Sequence, residues 1–132
     1  MILVDTSVWI DYFRGRDSRE AMQLVAALEA DENICICGPI LMEIRQGIAS
    51  DRDARNIERR MSPLMYLPTL RKTYRRAADI YRAARVCGKT IRNSVDCLIA
   101  ACAIENHAML LHRDRDYAII AEVSELKTFR PR

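Results

Sequence analysis

Short apolar runs alternate along the chain with stretches in which apolar residues return every third or fourth position. Ile2–Val4, Ile34–Cys37 and the run 108–111 lack polar alternation, which predicts short strands buried on both faces. The stretches between them predict helices. Thr6 or Ser7 caps one that runs to about Phe13. Ser18 caps a second, with Met22, Val25 and Leu28 at helical spacing. Pro39, after Gly38, suits the first position of a helix carrying Glu43. Asp51–Met61 and 70–86 predict two further helices, broken by Ser62-Pro63 and Pro68. In the later one Tyr74, Ala77, Ala78 and Tyr81 make an apolar stripe, and Cys87-Gly88 ends it. Asn93 caps a helix that is apolar nearly all round, the mark of a buried central element. A short helix over 117–123 and a last strand over 126–129 follow. Trp9 and the methionines fit the core. Strands alternating with helices predict an α/β fold whose parallel sheet is covered on both faces.

Composition narrows the class. The 132 residues, 50% apolar, suit a single domain, 1–132, with a real core. No apolar run approaches membrane-spanning length, and the N-terminus lacks a basic-then-apolar signal layout, so no membrane partner is expected. Five cysteines without a Cys-x-x-Cys pair argue against a disulfide framework or a zinc site, and suggest reduced thiols in a cytoplasmic protein.

Charge adds a partner class. The net charge is only +3, but the segment 52–92 holds twelve Lys/Arg against three Asp/Glu. Lys72, Arg75, Arg76 and Arg82 cover much of the helix over 70–86, with Lys89 and Arg92 beyond it. A basic middle beside an acidic remainder suits a protein that holds a phosphate backbone near bound cations. A solvated helical hairpin is the plainer account of the same charges.

Four acids carry the chemistry. Asp5 follows the first strand, Glu43 lies about one turn into the helix after the second, Asp96 opens the buried helix, and Asp114 follows the third strand. Ligands of such sheets bind at the carboxyl ends of the strands, so the pattern can bring all four to one edge. Converging carboxylates there would take a hard cation and point to metal-assisted phosphodiester chemistry. Each acid also has an ordinary structural role open to it: Asp5 in an Asx turn, Glu43 on a helix surface, Asp96 at a helix N-terminus, Asp114 or Asp116 as an N-cap. Other motifs are weak. Gly88-Lys89-Thr90 resembles the end of a P-loop, but position 83 is Ala rather than the required glycine. His107 and His112 lack a third zinc ligand, and no G-x-S-x-G or Cys/His arrangement suggests covalent catalysis.

Taken together, Asp5-Thr6-Ser7, the helical Glu43, the run Asp96-Cys97-Leu98-Ile99-Ala100-Ala101 and the segment Leu110-Leu111-His112-Arg113-Asp114-Arg115-Asp116-Tyr117 resemble the PIN-domain ribonucleases, in particular the VapC-type toxins of bacterial toxin–antitoxin pairs. The resemblance spans the chain. It implies a three-layer α/β/α fold around a parallel sheet, dependence on Mg²⁺ or Mn²⁺, homodimerisation and a VapB-type antitoxin as partner. It implies that Asp5, Glu43, Asp96 and Asp114 bind metal, with Asp116 in the same motif and its share open, and that Thr6 or Ser7 assists through a hydroxyl. The expected reaction is endonucleolytic hydrolysis of RNA to a 5′-phosphate and a 3′-hydroxyl, with single-stranded or loop RNA favoured because a cleft must reach a splayed backbone. Arg75, Arg76, Arg82, Lys89 and Arg92 would hold that RNA. The antitoxin would need an apolar groove near Trp9 and Met42. Two other classes fit less well. A receiver-type phosphoacceptor wants paired acids after the first strand and a lysine after a late one, where this chain has Asp5-Thr6 and His112-Arg113. A non-catalytic RNA-binding or regulatory module would use the basic helices alone.

Overall fold

The computed structural model describes residues 1–130. The chain runs β1 (Ile2–Val4), α1 (Thr6–Phe13), α2 (Arg19–Glu29), β2 (Ile34–Cys37), α3 (Gly38–Gln46), α4 (Asp51–Met61), β3 (Met65–Leu67), α5 (Arg71–Val86), α6 (Ser94–Glu105), β4 (Met109–Leu111) and α7 (Asp116–Val123). The four strands form one parallel sheet in the order β3-β2-β1-β4, with Ile2 opposite Ile34 on one side and Met109 on the other. Every residue of β1 and β2 is buried, as a sheet with helices on both faces requires. The result is the expected α/β architecture of a central parallel sheet flanked by helices.

Local chemistry explains the element ends. Ser18 and Ser50 accept from the third residue of α2 and α4, and Asn93 accepts from Val95 at the start of α6. Helix α6 buries seven of its residues on every side, which matches its apolar sequence.

Several elements depart from the pattern. Asp5, not Thr6 or Ser7, caps α1. Pro39 is the second residue of α3, after Gly38. The break between Pro63 and Pro68 contains β3, an edge strand with Met65 and Tyr66 exposed. The last strand is a single bridge between Thr128 and Leu110, flanked by bonds from Leu110 N to Lys127 O and from Phe129 N to Leu110 O. Helix α2 buries Ala21, Leu24 and Ala27 and leaves Met22 and Val25 outside, because the small residues let it lie close against α1. Helix α5 buries Thr73, Ala77, Ile80 and Ala84, with Tyr74 exposed. Trp9 is core, but of the methionines only Met61 is; Met1, Met22, Met42, Met65 and Met109 are exposed.

Candidate active site

Asp5 leaves β1 in extended conformation and enters α1 as its N-cap. Its Oδ2 accepts from Ser7 N at 3.0 Å and Ser7 Oγ at 2.6 Å. Its other oxygen, Oδ1, accepts from the Tyr117 hydroxyl at 2.7 Å. The Asp5 amide bonds Leu111 O at 2.9 Å, so the carboxylate stands at the carboxyl end of the β1–β4 pair. Thr6 Oγ1 donates to Glu43 Oε1 at 2.9 Å, which ties α3 to the start of α1.

The remaining acids come from the other side of the same edge. Asp96 occupies the first turn of α6, where the positive end of the helix dipole faces it. Its Oδ1 lies 3.3 Å from the Tyr117 hydroxyl. Asp96, Asp114 and Asp116 each place a carboxylate oxygen within 4.8 Å of the others. Asp114 Oδ1 also accepts from Asp116 N at 2.9 Å, a turn bond that opens α7. Asp5 thus keeps a capping role at the site, whereas Arg115, not Asp114 or Asp116, is the N-cap of α7. Arg92 closes the rim: its N and Nε each reach Asp116 Oδ2 at 3.2 Å, and a terminal nitrogen reaches Asp114 Oδ1 at 3.3 Å.

Electrostatics bind the four sequence-derived acids into one unit. Burial, and then the charges of Asp5, Asp114 and Glu43, push the Asp96 carboxyl up to about 7. Burial raises Glu43 against the opposing Thr6 bond, and Asp5 and Asp114 add to the rise. Burial and the two flanking acids hold the Tyr117 phenol well above its ordinary value, so it is a donor. The metal-capable cluster offers only carboxylate oxygen. That donor set suits a hard cation such as Mg²⁺ or Mn²⁺ and does not suit zinc bound through thiolate or imidazole.

The basic residues divide. Arg82 and Arg92 line a groove between α5 and α6 with Tyr74, Tyr81, Val95 and Leu98. Arg75 and Arg76 line a separate depression with Glu105, and Arg76 pairs with Glu105 at 3.6 Å. Glu105 is nine residues from Asp96 along α6, about 14 Å at 1.5 Å per residue. Lys89 pairs with Glu122 at 3.5 Å and Arg82 with Asp79 at 3.6 Å, so Arg92 alone of the five touches the acids. Two features had little signal in the sequence. Tyr117 read as the start of a helix and as the end of the Leu110–Tyr117 segment, with no role of its own, although a phenol in an otherwise apolar segment was a cue. Asp11, 1% exposed, is paired with Arg113, and Arg113 N donates to Ser7 Oγ at 3.2 Å. Only tertiary structure brings those residues together.

The chain matches the PIN domain family over residues 2–123. Over 132 aligned positions it is 42% identical to Ribonuclease VapC11 of Mycobacterium tuberculosis, covering 96% of each chain. It shows the same identity and coverage against VapC ribonuclease Mb1587 of Mycobacterium bovis. Its fold is similar to that of FitAcB from Neisseria gonorrhoeae, with a TM-score of 0.76 at 22% identity over 99% of this chain and 98% of that one. VapBC2 from Rickettsia felis gives a TM-score of 0.76 at 18% identity over 98% of each.

Proposed function

The chain belongs to the PIN-domain family, and from that premise we propose that it is a metal-dependent endoribonuclease of the VapC toxin type. The observation that carries this reading is the cluster of Asp96, Asp114 and Asp116, with Asp5 joined to Asp96 through the Tyr117 hydroxyl and Glu43 held by Thr6 beside Asp5. So many buried or half-buried carboxylates are costly unless a cation neutralises them. The curated relatives point the same way, since both are described as ribonucleases.

In this reading Asp96, Asp114 and Asp116 would hold Mg²⁺ or Mn²⁺, with Asp5 beside them and Glu43 braced through Thr6. A bound divalent ion would supply a lowered water pKa and charge neutralisation at the scissile phosphate. The chain's own residues orient and shield. Ser7 and Tyr117 fix both oxygens of Asp5, and Thr6 aims Glu43. Arg92, half-exposed at the rim, would meet a phosphate of the RNA, with Arg82 farther along the same groove and Lys89 beyond. Arg75 and Arg76 would contact a more distant part of the strand. No histidine acid–base pair is required: burial pushes the His112 pKa down and its Nδ1 has no hydrogen-bond partner among the described residues. Hydrolysis by this route leaves a 5′-phosphate and a 3′-hydroxyl.

The expected antitoxin, a VapB-type protein, has an apolar groove to occupy. Ile10, Phe13, Ile44, Ile48 and Ile57 line it between α1, α3 and α4, with Arg60 at its edge. Trp9 lies beneath rather than in that groove, since it is buried and stacks on Phe13. Homodimerisation belongs to the same reading and is checked by light scattering. The decisive experiment is cleavage of a mixed single-stranded RNA pool with Mg²⁺ and with EDTA, alongside Asp5→Asn. Cleavage only by the wild type with metal is the expected result. RNA binding without cleavage under all metals would favour the regulatory module instead.

A further inference from the structure

We propose that Tyr117 is a positioning residue of the metal site, holding Asp5 and Asp96 in place through its single hydroxyl. The proposal rests on the reading of these acids as a cation site. Tyr117 is 0% exposed, so its hydroxyl must find its partners inside the protein. Those partners are Asp5 Oδ1 at 2.7 Å and Asp96 Oδ1 at 3.3 Å. One O–H therefore stands between a carboxylate that leaves β1 and one that opens α6.

The rest of the surroundings show why this bond matters. Asp5 Oδ2 is already taken by Ser7, so Tyr117 completes the fixation of that side chain. Among the described residues Asp96 has no other side-chain donor, and Tyr117 is what links it to Asp5. The ring itself is set by His112, whose centroid lies 4.9 Å away, and by the start of α7 immediately after Asp116. One residue thus couples Asp5, Asp96 and the Asp114–Asp116 turn. Groups that orient metal-binding side chains in this way are worth about 10- to 100-fold in metal affinity. A core tyrosine whose contribution is ring packing would tolerate Phe with no change in metal binding.

The test is Mn²⁺ titration calorimetry on the wild type and Tyr117→Phe, with thermal unfolding in EDTA as a fold check. The expected result is a Kd for Mn²⁺ about tenfold weaker in Y117F, a Tm in EDTA within a few degrees of the wild type, and a lower kcat with KM for RNA little changed. Equal Mn²⁺ affinities would overturn the positioning role while leaving the metal site intact. A wild type that takes up no Mn²⁺ would overturn the site itself, and this role with it. Should Y117F not fold, ring-labelled wild-type protein supplies the readout. The Tyr117 resonance should then shift saturably with added Mg²⁺, and an unmoved resonance would overturn the proposal.

Discussion

Asp96 is where burial and neighbouring charge act in one direction. Its carboxyl moves from an ordinary 3.8 to about 7, so the unfolded chain releases that proton more readily than the folded one. Stability from the protonated acid is complete below pH 4 and is lost as pH rises through 7. Without metal, Asp96→Asn should therefore match the wild type near pH 4 and exceed it at pH 8, by on the order of 10 °C in Tm. Unfolding in EDTA across that range measures it, and added Mn²⁺ should raise the Tm of the wild type only. Activity should move the opposite way. Losing a group that only orients a metal-binding side chain costs about 10- to 100-fold, so losing an acid at the site, in Asp5→Asn or Asp96→Asn, should lower RNA cleavage by more than about 100-fold. A real-time cleavage assay with excess Mg²⁺ checks this.

The acids and most elements were legible because each rests on a local rule: an apolar run, a cap, an acid at a strand end. What was not legible depended on which of two rival faces the fold buries. In α5 the series Tyr74, Ala77, Ala78, Tyr81 competes with Thr73, Ala77, Ile80, Ala84. The second wins although it contains Thr73, because that hydroxyl donates to Glu105 at 2.6 Å and accepts from Leu70 N at 2.9 Å. Strand β3 hid between two prolines, since pairing of Tyr66 with Ile36 is a long-range fact and its outer edge is exposed. The union of α1 with the β4–α7 loop through Asp11 and Arg113 was equally out of reach. It makes its own prediction. Among the described residues, Arg113→Gln leaves the buried Asp11 with only the exposed Arg16, at 3.9 Å, and should cost about 2 kcal/mol. Urea unfolding with an unchanged m value tests this.

Across the whole molecule, the basic side chains are divided between the groove of Arg82 and Arg92 and the depression of Arg75 and Arg76. If RNA leaves the acidic edge along the first, Arg82→Gln with Arg92→Gln should flatten the plot of log affinity against log salt by about 1–2. The pair Arg75→Gln and Arg76→Gln should change it less. Filter binding in EDTA over a salt series compares them without cleavage.

The position of β1 inside the sheet has a consequence for how the protein comes into being. Its partners are residues 34 and 35 on one side and residues 109–111 on the other, so one flank stays open until β4 has been made. Such long-range parallel pairing is slow and completes late. Asp5 is made more than about a hundred residues before Asp114, Asp116 and the Tyr117 hydroxyl. A nascent or truncated polypeptide therefore carries Asp5, Glu43 and even Asp96 without a site to put them in. Under the proposed function, activity would appear only once β4 and the start of α7 have joined β1.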